Sequence, residues 1–512
     1  MMSSTNDISK SVSTQGIGTI PLRQAIAAEF VRARHTAASR LVLLGLLICL
    51  VQALGWLLVS SRSLDEWDQL LGWQSVYITG LAAPFTALFV GLTTAREARA
   101  RDGGTRWRPI EAATAGLARF TVLSCQLLGF NLAITLPLLG FGVLLGLDVT
   151  TQIVVRLVAL PLSVWVGTLP VVALALPLSR RIGTWPVLGL AVVWQVLALL
   201  TVESPSWWFQ PWTWHLRPSL PLLRVHANAV ALEPDSPIRQ WALWPPVLLA
   251  LIGTAAVLAV SHALAGRRGW SRRPTRRPAA TTVPSAVRPL IADRPGGQGG
   301  GTPRPTLALA GSLRRTAIGW LVPAAVLLLA GTALIWDADH VEGLFSLAIL
   351  PVGCCLLACL AWTAQRAAWR VLATRAPATR LCRALFGCCL ATLVVVLAAA
   401  ALLLAVGGAG LPVIGRVLVL GLLLGAALLG INLWLVTQFG VGAAIGTTLL
   451  ALVLSLVFGG SELATGQLWL LGPLAWAHSA DTASRAVIAG AASGLVAVIS
   501  VLGWARAARR VG

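Results

Sequence analysis

Long uninterrupted runs of apolar residues dominate this sequence. Twelve of them are long enough for a helix to cross the hydrocarbon core of a bilayer, which takes about 20 residues. They cover residues 41–60, 73–93, 117–147, 153–178, 184–202, 243–264, 317–336, 343–362, 384–406, 413–436, 440–458 and 484–505. Apolar residues make up 57% of the chain and charged residues only 11%, whereas soluble domains are about 25% charged. The sequence therefore predicts an all-α polytopic membrane protein with about 12 transmembrane helices.

Two of these runs have internal features that bear on their shape. The run at 117–147 contains Pro137 and several glycines, so we expect it to be kinked or tilted. The runs at 413–436 and 440–458 are divided only by the uncharged residues Thr437 to Gly440. We interpret them as two spans.

A basic stretch rich in proline and glycine separates the sixth run from the seventh. Residues 266–315 contain eleven arginines, seven prolines and a single carboxylate, Asp293. So little apolar surface cannot offset the entropy lost on ordering the segment. We therefore predict a disordered basic linker at 266–316, between a first six-span unit at 41–265 and a second at 317–505.

The distribution of charge predicts the orientation of the chain. Of the 39 lysines and arginines, 32 fall in the N-terminus, the linker, the C-terminus and the loops on their side, and twelve of the 18 carboxylates fall on the other side. The positive-inside rule then places residues 1–40, the linker and the tail at 506–512 in the cytoplasm. The net charge of +21 is thus explained by topology and attraction to anionic lipid, and not by nucleic acid. We expect a multi-pass protein of the cytoplasmic membrane.

An amphipathic segment precedes the first run. Leu22, Ile26 and Phe30 share one helical face within residues 21–40, and arginines occupy the rest. This pattern is typical of an interfacial helix lying on the leaflet, although it is also compatible with an ordinary positive flank. A weaker version occurs at 307–315.

The two halves repeat further features. A basic loop follows the second span of each half, at 94–109 and at 363–380, and each loop contains one tryptophan among its arginines. A long connection precedes the sixth span of each half, at 203–241 and 459–484. Both connections contain a Pro-x-x-Trp element followed by a histidine, Pro211 to His215 and Pro473 to His478. The chain therefore has the pattern of a fused pseudo-dimer.

The catalytic motifs of common enzyme classes are missing from the sequence. A Walker A loop needs a lysine on the phosphates, and the single lysine, Lys10, has no glycine-rich loop around it. We expect no enzymatic activity and no cofactor or metal bound by this chain. The cysteines at 354, 355 and 359 could in principle hold a metal, but without a nearby histidine or carboxylate their pattern favours packing.

Ionisable side chains are lacking near the middle of the predicted spans, and Arg156 and Arg416 lie at outer ends where they could snorkel. Ion-coupled carriers generally need such intramembrane groups. The polar residues within spans are neutral, and Gln126, Asn131 and Asn432 could line a substrate pathway or could instead hold helices together by hydrogen bonds. Dense aromatic residues in the long connections predict re-entrant elements on the outer side that contain Trp207, Trp208, Pro211, Trp214, Pro473 and Trp476.

The order of an entry helix, a charged loop after the second span and re-entrant elements before the sixth resembles the membrane permease subunit of type-2 ABC exporters. The chain is most similar to permeases of lantibiotic (bacteriocin) immunity and peptide export. The stretches that carry this resemblance are AEFVRARHTAASRL (28–41), REARARDGGTRWRP (96–109), WWFQPWTWHLRPSLPLLRVHANAV (207–230), FGVGAAIG (439–446) and LWLLGPLAWAH (468–478).

The resemblance implies a partner and a cargo. ABC ATPase subunits, two per transporter, would use ATP and Mg²⁺ and would seat on two coupling loops. The first loop would contain Arg96, Glu97, Arg99, Asp102, Trp107 and Pro109, and the second Arg366, Trp369 and Arg370. Arg366 stands where the first loop has Glu97, so the two contacts need not be equivalent. The exported substrate would be an amphipathic or hydrophobic peptide, antibiotic or lipid-like molecule, as in immunity or multidrug resistance.

Two other functions fit parts of the sequence. An ion-coupled secondary transporter of the major-facilitator type also has twelve spans and a central cytoplasmic linker. The loop at 96–109 lacks the Gly-x-x-x-Asp-Arg-x-Gly-Arg-Arg pattern of that family. A membrane-embedded transferase would need essential carboxylates or histidines on the outer side.

Overall fold

A computed structural model shows the fold. It describes residues 20–59, 67–99, 110–269, 318–335, 337–366, 368–459 and 467–511, together with residues 309, 311, 313, 316 and 464. Within these ranges the chain is helical, and its β structure is a single bridge between Val225 and Ala231. The predicted all-α class of a polytopic membrane protein is confirmed. The linker at 266–316, the helical segment at 307–315 and the extreme N-terminus lie almost entirely outside the described residues.

Helices in the first part of the chain are α1 (Leu22–Ala33), α2 (Ala37–Val59), α3 (Trp67–Gly72), α4 (Ser75–Gly80), α5 (Ala82–Arg99), α6 (Ala112–Thr135), α7 (Pro137–Leu144), α8 (Thr151–Ile182), α9 (Thr184–Thr201), α10 (Ser219–Leu223) and α11 (Trp244–Gly269). Those in the second part are α12 (Ile318–Ile335), α13 (Ala338–Leu344), α14 (Leu350–Gln365), α15 (Trp369–Arg375), α16 (Ala378–Val406), α17 (Leu411–Gln438), α18 (Val441–Gly459), α19 (Trp476–Ser479) and α20 (Ala483–Val511). One π-helical stretch, Phe345–Ile349, joins α13 to α14.

Ten stretches of helix in the described part of the chain are long and apolar enough to cross a membrane. An eleventh is reached if the bent pair Trp67–Gly80 and Ala82–Glu97 counts as one span. The predicted seventh span, 317–336, coincides with α12, but its apolar part, Leu321–Leu334, is shorter than a span needs. A count of twelve spans is therefore not confirmed.

The predicted second span, 73–93, is broken. Helices α4 and α5 meet at Leu81 and the bend between the two arms of this pair is 57°. Pro84 explains the break, because it has no N–H to donate to the carbonyl four residues earlier, that of Gly80, and its ring crowds that carbonyl. Both residues are visible in the sequence and could have predicted the break.

Proline and glycine also explain two other boundaries. Helix α6 ends at Thr135 and α7 starts at Pro137, so the third span is interrupted directly before the proline. Helices α17 and α18 are separated at Gly440, whose φ of +91° is in the region that favours glycine. The predicted division of 413–458 into two helices is confirmed.

The described chain forms two compact units. Unit 1 comprises Met1–Val42, Gln74–Thr135 and Thr150–Arg294, and unit 2 comprises Leu43–Trp73, Leu136–Val149 and Pro295–Gly512. By their contacts, the segments 43–73 and 136–149 group with residues 295–512.

Contacts within unit 2 explain why segments 43–73 and 136–149 belong to it. The Trp67 ring covers Gly142, where a Cβ would lie 2.0 Å from the ring, and the Trp67 Nε1 donates to the Asp148 carbonyl at 2.9 Å. Gly55 of α2 lies against Val457 of α18, with a Cβ position 2.3 Å from the valine Cγ1. These close approaches leave no room for larger side chains at the two glycines.

The cores of the two units differ in character. Four rings fill the core of unit 1, those of Tyr77, Phe85, Phe89 and Phe130, at centroid separations of 5.3 to 5.9 Å. Unit 2 instead brings helices together over small residues on α17. A Cβ at Gly425 of α17 would lie only 2.5 Å from the Leu393 Cδ2 of α16, so the glycine lets the two helices approach closely. Small residues have this role at helix interfaces in membranes.

Candidate functional site

Five charged side chains meet in unit 1, at the point where α1 packs on α5 and α6. Arg96 donates to Glu29 at 2.5 Å, and Arg119 to Glu97 at 2.8 Å. Glu97 also pairs with Arg32. We call Glu29, Arg32, Arg96, Glu97 and Arg119 the charge cluster.

The local sequence explains how the cluster assembles. Helix α1 buries the face formed by Ala25, Glu29 and Ala33, which are spaced four residues apart. Two small alanines on this face let α1 approach its neighbours closely, and Glu29 between them is carried inward. Arg32, three residues after Glu29, pairs with it at 2.9 Å. The Arg96 Nη1 donates to the Arg32 carbonyl at 2.9 Å and so satisfies one orphan carbonyl at the end of α1.

Several large apolar side chains of α1 are exposed. Phe30 and Val31 are 43% and 68% exposed, and Leu22 is 38% exposed. The predicted helix is therefore present, with Glu29 buried against the protein and the apolar side chains of Phe30 and Val31 exposed. That arrangement suits a helix lying in a lipid interface.

The cluster is partly buried and carries an excess of positive charge. Its side chains are between 5% and 21% exposed, so their interactions are screened less than those of surface pairs. Three arginines face two glutamates, and Arg180 at the end of α8 acts electrostatically on Arg119 as a further positive group. The resulting field favours an acidic partner.

The cluster contains two residues of the first predicted coupling loop, Arg96 and Glu97. The side chain of Arg99, and all of Asp102, Trp107 and Pro109, lie outside the described residues. The sequence did not assign Glu29, Arg32 or Arg119 to this site, because the ion pairs that join them to Arg96 and Glu97 connect residues distant along the chain.

The second predicted coupling segment has another structure. Trp369 is fully buried, lies 5.0 Å from Trp362 by ring centroids, and donates its Nε1 hydrogen to the Ala508 carbonyl at 3.1 Å. Arg366 and Arg370 are exposed. In this segment Trp369 therefore belongs to the packing of unit 2, and the two arginines are what a partner would meet.

A polar network stabilises the break between α4 and α5. The Gln195 side chain of α9 donates to the carbonyls of Ile78 (3.2 Å) and Thr79, and accepts from the Ala83 N–H at 3.0 Å. These are backbone groups that the break leaves without helical partners. Irregular backbone at membrane depth is tolerated only where such partners exist, so Gln195 is a structural residue of unit 1.

His215, which directly follows the Pro-x-x-Trp element of unit 1, also contacts this network. Its Nε2 lies 3.2 Å from the Gln195 Oε1, and its ring is fully buried. Burial lowers the pKa of His215 to about 4, so the ring is neutral near pH 7. Gly167 of α8 allows the close approach, because a Cβ there would lie 2.3 Å from the His215 Cα.

The two Pro-x-x-Trp elements share one hydrogen-bond pattern. In unit 1 the Trp214 Nε1 donates to the Trp208 carbonyl at 3.2 Å. In unit 2 the Trp476 Nε1 donates to the Trp469 carbonyl at 3.3 Å. Each tryptophan thus closes a loop of similar length onto an earlier tryptophan, and Trp214 packs against Gly253 of α11. The sequence pattern therefore corresponds to a common local structure.

Arginine–tryptophan stacking accompanies both elements. The Arg217 guanidinium lies 3.2 Å from the Trp241 ring centroid and 4.8 Å from that of Trp207. Arg485 lies 5.4 Å from the Trp469 centroid. Trp208 is 59% exposed beside the equally exposed Phe209, as expected for aromatic side chains at a membrane interface.

Acidic side chains flank a histidine in the connection at 203–241. The His226 Nδ1 lies 3.3 Å from Glu203 and its Nε2 lies 3.0 Å from Glu233. The hydrogen bond to Glu233, with a smaller effect of Glu203, raises the pKa of His226 above its ordinary value. The group is a pH-sensitive contact within the connection.

The three proposed pathway residues make hydrogen bonds inside their own units. Asn131 accepts from the Tyr77 hydroxyl at 3.2 Å, Asn432 accepts from the Thr448 hydroxyl at 3.0 Å, and Gln126 donates to Ser39 at 2.9 Å. Each asparagine also donates to the carbonyl four residues earlier. These contacts match the alternative considered from the sequence, hydrogen bonding between helices.

The two arginines expected to snorkel are instead engaged with protein groups. Arg156 is 7% exposed and donates to the Leu222 carbonyl through two nitrogens, at 3.0 and 2.7 Å. Arg416 pairs with Glu342 at 2.6 Å, and the His478 Nδ1 lies 3.6 Å from the same carboxylate. Glu342 is 5% exposed, so unit 2 contains a buried ion pair that the sequence pattern did not indicate.

Comparison with known proteins found no match to a protein-family model, a curated protein or a solved structure.

Proposed function

We propose that this chain is the permease of an ATP-driven exporter of the type-2 ABC class, and that separate ATPase subunits bind and hydrolyse ATP with Mg²⁺. The observation that carries the proposal is the charge cluster. It joins the entry helix α1 to α5 and α6, beside the segment that the resemblance to lantibiotic-immunity permeases assigns to ATPase coupling.

The cluster offers a mechanical route for such coupling. Glu29 and Arg32 belong to α1, Arg96 and Glu97 to α5, and Arg119 to α6. Because ion pairs connect all three helices, a force applied to the connection between α5 and α6 would displace them as a group. Small displacements are passed on by packed helices and are not absorbed by them.

Electrostatics support a protein partner at this position. The surplus positive charge of the cluster would draw in an acidic surface and fix its orientation, which is the usual contribution of charge to protein association. Arg366 and Arg370 provide positive charge at the second segment. We therefore propose two ATPase contacts that differ in structure.

The cargo that fits is amphipathic or hydrophobic. The polar side chains predicted to line a pathway are neutral and already hydrogen-bonded; they are Asn131, Asn432 and Gln126. They would therefore offer an ion few ligands to replace the water of its hydration shell. A peptide, antibiotic or lipid-like molecule would require no such replacement. Export of such molecules would give the producing cell immunity or multidrug resistance.

Vesicle transport tests this proposal. Inside-out membrane vesicles from the native cell, and from a strain lacking the chain, are incubated with a panel of fluorescent amphipathic peptides and dyes in the medium. We expect ATP-dependent, vanadate-sensitive uptake only when the chain is present, and no effect of a protonophore. Glu97→Gln should reduce this uptake, whereas Glu111→Gln should not, because Glu111 is exposed and outside the cluster.

Substrate-stimulated ATP hydrolysis by the purified chain alone would overturn the proposal. So would uptake that persists without ATP and collapses with the protonophore. The second result would favour an ion-coupled secondary transporter. One observation favours that alternative: the buried Glu342, held by Arg416 and approached by His478, is the kind of group that ion coupling uses.

A further inference from the structure

Unit 2 contains a cavity of about 280 Å³ that is partly open to the surface. Its walls are formed by α17, α18, α20 and the Pro473–Trp476 element. An engineered apolar protein cavity of about 150 Å³ binds benzene. The cavity of unit 2 is nearly twice as large, which is room for a bicyclic aromatic molecule.

The lining is apolar except for neutral polar side chains. None of the residues that line the cavity carries a charge. Leu424, Leu428 and Leu474 contribute apolar walls, and the Trp476 ring contributes an aromatic one. Since the Trp476 Nε1 hydrogen is used by the Trp469 carbonyl, the indole presents only its ring surface. A charged ligand would lose its hydration here without compensation.

Asn432 and Thr448 form a hydrogen-bonded polar pair in the lining of the cavity. Asn432 is 1% exposed, accepts from the Thr448 hydroxyl at 3.0 Å and donates to the Leu428 carbonyl at 2.9 Å. A carboxamide has two N–H donors and an oxygen with two lone pairs. Beyond these two hydrogen bonds, the Asn432 carboxamide therefore has one further N–H donor and one further oxygen lone pair. Both Asn432 and Thr448 line the cavity.

We propose that this cavity binds a small uncharged molecule with an apolar, bicyclic aromatic body and one hydrogen-bonding group that reaches Asn432. The cavity lies within a single unit. Binding requires neither ATP nor a partner, so the proposal goes beyond the transport function and is tested separately from it.

Equilibrium binding of tritiated 1-naphthol to the purified full-length chain in nanodiscs provides the test, with empty nanodiscs subtracted. We expect saturable binding that is threefold to tenfold tighter than that of naphthalene, because a net hydrogen bond contributes a factor of about this size. The anion 1-naphthoate should not compete. Asn432→Leu should reduce the preference for naphthol over naphthalene to less than twofold.

Cavity-filling variants provide matched controls. Ala451 lines the cavity and Ala491 is exposed on α20. Ala451→Phe should weaken naphthol binding at least tenfold, and Ala491→Phe should leave it unchanged. Val496→Phe is a second filling variant at a lining position that is already 37% exposed, so it strains the core less. Gel filtration checks that each variant is folded.

Three results would overturn the proposal. The first is naphthol uptake that does not saturate, or that is equal in the wild type and both filling variants. The second is competition by 1-naphthoate as strong as that by naphthalene. The third is displacement by decanol together with no preference for naphthol over naphthalene, which would identify the occupant as a lipid-like hydrocarbon chain.

Discussion

Removal of one charge from the cluster should release α1. The substitution Glu97→Gln keeps the size of the side chain and removes its ion pairs with Arg32 of α1 and Arg119 of α6. After it, Arg96 still links α5 to α1 through Glu29 and the Arg32 carbonyl. We expect α1 to open locally while the membrane helices remain folded.

The size of the effect follows from partial burial. Exposed ion pairs contribute about 0–1 kcal/mol, whereas breaking a fully buried pair costs about 3–5 kcal/mol. Glu97, Arg32 and Arg119 side chains are 12%, 19% and 9% exposed, so a value of about 2 kcal/mol between these limits is appropriate. Because about 1.4 kcal/mol corresponds to a factor of ten, opening of α1 should become about 30-fold more frequent.

Amide hydrogen exchange of peptides covering Leu22–Ala33 measures this opening directly. Glu111→Gln is the matched control, since Glu111 is exposed and lies outside the cluster, where its carboxylate accepts from the Thr114 hydroxyl at 3.4 Å. Concentrated salt should accelerate exchange in the wild type and have less effect in Glu97→Gln. Equal exchange of α1 in the wild type, Glu97→Gln and Glu111→Gln would refute the reasoning, because the cluster would then not hold the helix.

Three further predictions concern unit 1. Gly167→Ala should lower the unfolding temperature in thermal melting, because the added Cβ would collide with the backbone of His215. Gly189→Ala is the control and should leave the unfolding temperature unchanged, because the space around Gly189 is open. Burial lowers the pKa of His215 to about 4, so stability should be full above pH 6.5 and decline as the pH falls toward 4, and His215→Gln should lose this acid sensitivity in melting curves. The pKa of His226 is raised chiefly by its hydrogen bond to Glu233. Hydrogen exchange of residues 224–232, measured relative to intrinsic rates, should therefore be slowest below about pH 6.5 and should become faster as the pH rises through the raised pKa. A pH-independent profile in the wild type would contradict this.

Helices and their ends could be predicted from the sequence because local physics determines them. Apolar runs gave the membrane helices, Pro137 gave the interruption after α6, and the separation of α17 from α18 falls at Gly440. The break at Leu81 was missed although Gly80 and Pro84 signalled it, because the apolar run at 73–93 continues through both residues.

Long-range polar contacts could not be predicted in this way. Glu97 and Arg32 are 65 residues apart and Gln195 and Thr79 are 116 apart, and no local periodicity relates such positions. Their pairing depends on which helices pack together. The same applies to Glu342, which reads as an ordinary acidic residue near a helix start until Arg416 and His478 are brought beside it.

The internal repeat is strongest at the Pro-x-x-Trp elements and weakest at the basic loops. Trp214 and Trp476 make equivalent hydrogen bonds, and each element has an arginine stacked on a nearby tryptophan. At the basic loops, unit 1 has exchangeable ion pairs around Glu97, whereas unit 2 has the buried ring of Trp369. Ion pairs respond to an approaching charge and a buried indole does not. A partner that approaches both loops would therefore meet, at the first, ion pairs that its own charges can rearrange and, at the second, the exposed arginines Arg366 and Arg370 on a segment held in place by the buried Trp369.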